Sequence, residues 1–422
     1  MMTPQNTAPT AFPLLNFQSV RQALLDKQEI ALLDVREEDT FALAHPLFAA
    51  NLPFHRVVAD ARRRMPRLDT LIVVYDDGEG LAHRAAQTLQ QLGYSQVHQL
   101  DGGLQGWQQA GGELFKDVNV PSKAFGELVD AQRHTPMLSA REVKALLEAQ
   151  ANVVVLDARR FDEYQTMNIP TSISVPGAEL VLRASALAPD PGTRIIVNCA
   201  GRTRSIIGTQ SLVNAGITNP VAALRNGTIG WTLAGQTLEH GANRQASPMP
   251  EAQRLAAAQQ ARAVADRAGV KRALPADVAR FRFETTRTSY CLDVRTPEEY
   301  ATGHLSGFAS APGGQLVQET DVTLPVRGAR VVLADLDGVR ANMTASWLAQ
   351  MGWEVWVLEG LSATDFSETG HLPPPVPPSP HRYRRPYEGT DNPHEAMQAY
   401  LDWEYGLVAQ LARDGTHGFK VL

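Results

Sequence analysis

Cysteine is nearly absent, with two residues in 422. That excludes a disulfide framework, and it excludes zinc sites built from cysteine, which take about two to four thiolates in one place. There is no excess of positive charge. Lysine and arginine number 39 against 45 aspartates and glutamates, a net charge of -6, so a general nucleic-acid binder is disfavoured and no nucleic-acid partner is expected. No apolar run reaches the about eighteen residues that a membrane span needs, and no membrane partner is expected. The first twenty residues, MMTPQNTAPTAFPLLNFQSV, lack a basic start followed by an apolar core. No secretory signal is read there, and a cytoplasmic protein is expected. The phosphate-binding Gly-x-x-x-x-Gly-Lys-Ser/Thr loop, the dinucleotide glycine fingerprint, His-Glu-x-x-His and the Gly-x-Ser-x-Gly elbow are all missing. Neither a cofactor nor a metal is therefore expected.

What is present is a pattern that occurs three times. Ala31-Leu32-Leu33-Asp34-Val35-Arg36, Val154-Val155-Leu156-Asp157-Ala158-Arg159 and Tyr290-Cys291-Leu292-Asp293-Val294-Arg295 are β-rich apolar runs ending in an Asp-x-Arg step. A second run follows each, at 71–75, 194–198 and 330–334. These runs are near-continuously apolar, as buried parallel strands are. Asp34 to Asp76, Asp157 to Cys199 and Asp293 to Asp335 are each 42 residues, and the landmarks recur after 123 and then 136 residues. Such periods are too long for a solenoid unit and mark tandem domains. After each second strand come a short polar loop, a helical pattern (82–92, 204–215, 340–351) and another strand (97–100, 221–224, 355–358). Alternating strands and helices predict α/β domains, each a parallel sheet flanked by helices. A glycine-bearing turn closes on Trp107 in the first lobe and Trp231 in the second, and the third lobe keeps only Glu359-Gly360.

The predicted domains are 15–115, 130–245 and 270–370, followed by a C-terminal helical extension at 381–422. Residues 116–136 show no strong periodicity and read as a linker. The alanine-rich stretch 248–268 reads as a connecting helix. HLPPPVPPSP at 371–380 reads as an extended polyproline spacer. The helix predicted over 394–412 carries Leu, Trp and Tyr on a face that needs cover, so it is expected to dock on a lobe.

Taken together, the Asp-x-Arg strand, the strand–loop–helix with cysteine at the loop start, the Gly-x-x-Gly-Trp turn and the segment Glu298-Glu299-Tyr300-Ala301-Thr302-Gly303-His304-Leu305-Ser306-Gly307 resemble rhodanese domains. The resemblance runs over about 15–370. It implies three tandem rhodanese-like domains and transfer of a sulfane sulfur from a small anionic donor such as thiosulfate to a thiol or cyanide, or to a sulfur-accepting protein.

The loops separate the lobes. The second reads Cys199-Ala200-Gly201-Arg202-Thr203-Arg204, with Ser205 next in the helix. A thiol facing a helix N-terminus meets unsatisfied N–H groups and the positive end of the dipole, which favours a thiolate nucleophile able to carry a persulfide. Cys199 is the candidate catalytic residue. Ala200, Gly201, Arg202, Thr203, Arg204 and Ser205 are the candidate substrate-binding residues, the two arginines as bidentate ligands for an oxyanion. The first lobe has Asp76-Asp77-Gly78-Glu79 there and the third Asp335-Leu336-Asp337-Gly338. A carboxylate caps a helix but forms no persulfide, so lobes one and three are expected to be scaffold that shapes the mouth of the second lobe's pocket.

Cys291 inside an apolar strand, the Asp-x-Arg steps, both tryptophans and His304 are read as structural. A 3-mercaptopyruvate donor stays open, because the loop matches neither family consensus and only its two arginines favour thiosulfate. A non-enzymatic sulfur carrier or regulatory module is an alternative of another class. A cysteine-dependent phosphatase or arsenate reductase fits less well: those loops want arginine six residues after cysteine, where this chain has Ser205.

Overall fold

The computed structural model describes residues 12–247, 249–370, 379–385 and 387–422. The chain forms two compact units. The first holds the chain up to Val118 together with Leu324–Gly328 and Ser379–Tyr383, and the second holds Asn119–Thr323, the chain from Ala329 and that from Arg384 to Leu422.

The first unit contains one six-stranded sheet. Its order is Leu14–Leu15, Val97–Leu100, Leu71–Tyr75, Ile30–Asp34, with Ala50–Asn51 also on Ile30–Asp34. All these pairs are parallel. The strand Val326–Arg327 joins antiparallel on Ile30 and Ala31. That last strand lies within the predicted third domain, yet it closes an open edge of the first sheet, whose unpaired N–H and C=O groups it satisfies. The second unit holds two five-stranded parallel sheets of the same order. One runs Met137–Leu138, Val221–Leu224, Arg194–Asn198, Val153–Asp157, Ile173–Ser174. The other runs Lys271–Ala273, Glu354–Leu358, Arg330–Ala334, Ser289–Asp293, Ala309–Ser310.

The register explains why the 42-residue spacing is kept. Asp34 lies opposite Tyr75, Asp157 opposite Asn198 and Asp293 opposite Ala334. Each Asp of the Asp-x-Arg step therefore stands beside the residue just before the loop. Its buried carboxylate takes the Arg two residues on in a fork, and that guanidinium also donates to a backbone carbonyl eight residues further along: Ala44, Met167 and Gly303. The step is structural in all three lobes, as expected.

The loop helices run Leu81–Gln91, Thr203–Asn214 and Arg340–Gln350, within a residue of prediction. The glycine turns after the third strands proceed directly into short helices, Gly103–Gln109 and Gly227–Leu233. Trp107 and Trp231 are buried in them and donate from Nε1 to Glu113 O and Thr237 O, a packing role. The predicted connecting helix spans Glu251–Arg267; Pro248 lies outside the described residues, as do 371–378 of the polyproline stretch. The stretch 116–136 is not a plain linker. Val120–Arg133 is a helix, and residues 120–127 are buried without exception. A stretch covered all round shows no amphipathic period, so the first two turns of this helix carry no periodic signal. The C-terminal helix spans Pro393–Asp414 and buries Leu401, Glu404, Leu407 and Leu411 along one face. It docks on Val120–Arg133 and on the second lobe, within the second unit.

Candidate active site

Cys199 follows the strand Arg194–Asn198 and precedes the helix Thr203–Asn214. It is 2 % exposed and forms no disulfide, and the half-buried Cys291 is likewise free. Its Sγ lies 3.4 Å from Ser205 Oγ, and the Ser205 hydroxyl donates to Arg202 O at 2.8 Å.

The loop backbone is pinned from the side. Thr228 N donates to Cys199 O at 2.9 Å and Ile229 N donates to Ala200 O at 3.0 Å. The same contact recurs in the first lobe, where Leu104 N donates to Asp76 O at 3.0 Å. It requires glycine: a Cβ at Gly227, whose φ is +55°, would lie 2.2 Å from Cys199 O.

The helix N-terminus forms a cradle of N–H groups, which the other lobes fill with an aspartate side chain. Asp76 accepts from Gly78 N at 3.2 Å and Ala82 N at 2.9 Å. Asp335 accepts from Gly338 N at 3.1 Å and Ala341 N at 2.8 Å. Ala82 and Ala341 stand six residues after their aspartates, as Ser205 stands six after Cys199. The carboxylates cap the helices as the sequence implied.

The arginines do not point where the loop sequence suggested. Arg202 forks onto Glu127 at 2.6 and 2.8 Å, reaches Asp130 at 2.9 Å and the Tyr405 hydroxyl at 2.9 Å, and lies over the Tyr405 ring. Arg204 forks onto Glu163 at 2.6 and 2.9 Å. The two loop arginines are thus matched by carboxylates from two other helices, and neither guanidinium is left unpaired. The Arg204–Glu163 pair repeats as Arg340–Glu299 in the third lobe, also 41 residues apart. In the first lobe both members are missing together: Thr40 and Leu81 stand there.

Burial works to raise the Glu163 carboxyl, but Arg204, by charge and hydrogen bond, with Arg159 and Arg385, holds it at about 2. For Cys199 the balance differs from the expected lowering. Burial pushes the thiol up; Arg204 and the Ser205 hydroxyl and N–H pull it down, and Glu404 adds to the rise. The helix end is in place, but the C-terminal helix lies over the loop and removes water from it. Of the remaining loop residues, Ala200 is held through its carbonyl, Thr203 packs against Gly126 of the helix Val120–Arg133, and Gly201 faces Glu404, Tyr400 and Ile229.

Glu127, Asp130, Glu163, Gly227, Tyr400, Glu404 and Tyr405 were missed from sequence. Two signals were available. Glu163 stands six residues after Asp157 as Glu299 does after Asp293, and Glu404 interrupts the leucine face of the C-terminal helix. His304 stacks on Tyr300 with ring centroids 3.9 Å apart and is structural, as expected. Among the described residues no group of three or more His, Cys, Asp or Glu is arranged to hold a metal, and no helix is long and apolar enough to cross a membrane.

A family model described as Rhodanese-like domain matches residues 18–110, 139–234 and 276–361. The chain belongs to the rhodanese-like domain family, with one cysteine loop and two aspartate loops. A solved structure, thiosulfate sulfurtransferase from Pseudomonas aeruginosa, is 55% identical with a TM-score of 0.94, and the match covers 97% of this chain and 100% of that one. A curated relative, thiosulfate sulfurtransferase of Azotobacter vinelandii, is 28% identical over 143 residues, 33% of this chain and 52% of the relative. The chain thus spans about half the length of that curated relative.

Proposed function

We propose that the chain is a sulfurtransferase that carries a sulfane sulfur on Cys199, with thiosulfate as donor. The Cys199 thiolate attacks the sulfane sulfur, the S–S bond of thiosulfate breaks, and sulfite leaves with the electron pair. The terminal sulfur of the resulting persulfide is then taken by an acceptor thiolate or cyanide, which regenerates the Cys199 thiolate.

One observation carries this reading. The Asp76 and Asp335 oxygens that accept the cradle N–H groups are one bond beyond the γ position. The outer sulfur of a persulfide on Cys199 is also one bond beyond its γ atom. The aspartates mark where these N–H groups take an acceptor, and only the second lobe offers an atom there that can be transferred. The two relatives named thiosulfate sulfurtransferase support the donor. The loop arginines do not, because both are paired.

That pairing favours a second reading, a 3-mercaptopyruvate-type donor, which brings one negative charge where thiosulfate brings two. Thiocyanate formation with cyanide, measured with each donor for the wild type and Cys199→Ser, tests both. Turnover with thiosulfate that Cys199→Ser abolishes supports the first reading, turnover with mercaptopyruvate alone supports the second, and turnover retained in Cys199→Ser overturns both. The cytoplasmic placement is part of the proposal and is tested by cell fractionation.

A further inference from the structure

The C-terminal helix sets a carboxyl group against the reactive loop. Glu404 is 1 % exposed. Its Oε1 accepts from the Tyr400 hydroxyl at 3.0 Å, while Oε2 is buried with no hydrogen-bond partner. That free oxygen faces the loop: a methyl placed on Gly201 would lie 3.3 Å from it. An unpartnered buried carboxylate oxygen costs free energy, and a charged one costs more. A neutral carboxylic acid with its proton on Oε2 has a donor ready for an incoming oxygen or sulfur anion, whereas the ionised group is a negative charge against the loop that anion must reach.

We propose that Glu404 is a specificity-determining residue of the Cys199 site: its carboxyl selects sulfur donors by charge, admitting anionic donors while it is protonated and excluding them once it ionises. The doubly charged donors are excluded most. This deepens the sulfurtransferase reading, since it concerns which donor reaches the same thiol, and it rests on that reading for the identity of the donor.

The groups facing Glu404 come from three elements: Tyr400 on its own helix, Lys123 and Glu127 from the helix Val120–Arg133, and Cys199 and Arg202 from the loop. Burial pushes the Glu404 carboxyl up to about 7, with Glu127 adding to the rise and Lys123, the Tyr400 hydroxyl and Arg202 drawing it down. The switch is therefore set within the neutral range.

Alkylation of Cys199 by iodoacetate and iodoacetamide, scored on the Cys199 peptide by mass spectrometry from about pH 6 to 8.5, tests this without any sulfur donor. The reagents are near-isosteric and both need the thiolate, so their rate ratio cancels thiol ionisation and reads the field met by an anion. The ratio of iodoacetate to iodoacetamide is expected to fall by about tenfold or more across the range in the wild type. It should stay high and flat in Glu404→Gln and in Glu404→Ala. A flat wild-type ratio, a fall retained in both variants, or a Cys199 that neither reagent modifies at any pH would overturn the proposal. A chain that transfers sulfur yet shows a flat ratio refutes the role of Glu404 alone; a chain that shows the fall but transfers no sulfur refutes the enzymatic reading alone.

Discussion

Replacing Glu163 by glutamine separates the two jobs of the Arg204 pair. The fork at 2.6 and 2.9 Å is nearly buried, with side chains 13% and 14% exposed, so little solvent screening is due. The Glu163 carboxyl sits at about 2 against an ordinary value of 4.5. A difference of about 2.5 units corresponds to about 3 kcal/mol, at the lower end of the ~3–5 kcal/mol that breaking a buried pair costs. The folded value is depressed, so this stability is fully present above about pH 4.5 and is lost as pH falls towards about 2. Urea unfolding followed by tryptophan fluorescence should therefore show Glu163→Gln about 3 kcal/mol less stable than wild type at pH 7. The gap should shrink as pH falls from about 4.5 towards about 2, where the carboxyl of the unfolded chain takes up a proton before that of the folded one. The same variant removes the counter-ion of Arg204, the first group opposing the rise in the Cys199 thiol. Iodoacetamide should then modify Cys199 faster at neutral pH. A loss under about 1 kcal/mol at pH 7, or a gap that does not change with pH, would refute the assignment of Glu163 as the buried partner of Arg204.

Two further perturbations test the loop geometry. Gly227→Ala forces a methyl to 2.2 Å from Cys199 O at a φ of +55°; it should displace the Cys199–Ala200 peptide and cut sulfur loading of Cys199 by about tenfold or more, with unaltered loading counting against the pinning contact. In the third lobe, burial and the charge of Asp337 push the Asp335 carboxyl well up. Its Oδ1 and Oδ2 each accept a backbone N–H, from Gly338 and Ala341, so Asp335→Ala, which strips both acceptors, should cost about 2–4 kcal/mol in urea unfolding; a loss under about 1 kcal/mol would contradict the capping role.

The repeat made most of the fold legible. Equal 42-residue offsets reflect a register in which each Asp must sit beside the last residue before the loop, and the loop helices follow from local pattern. What sequence hid is tertiary. The first eight residues of the helix Val120–Arg133 are covered on all sides and so lack a periodic stripe. The strand Val326–Arg327 belongs to a sheet whose other strands lie over 200 residues earlier. At the site, the cysteine, the cradle and the scaffold carboxylates were readable because they are local. The pairing of Arg202 and Arg204 was not legible, because Glu127, Asp130 and Glu163, and Glu404 beside them, are brought in by three other helices. The lone carboxylate on the leucine face of the C-terminal helix was the one visible trace of that arrangement.

The central claim is that Cys199 carries the transferred sulfur. Intact-protein mass spectrometry after incubation with thiosulfate, with peptide mapping and Cys199→Ser as control, tests it most directly. The account predicts a gain of one sulfur, about 32 Da, on the Cys199 peptide, reversed by cyanide or a thiol and absent from the variant. No gain with thiosulfate or mercaptopyruvate, or a gain that survives in Cys199→Ser, would contradict it.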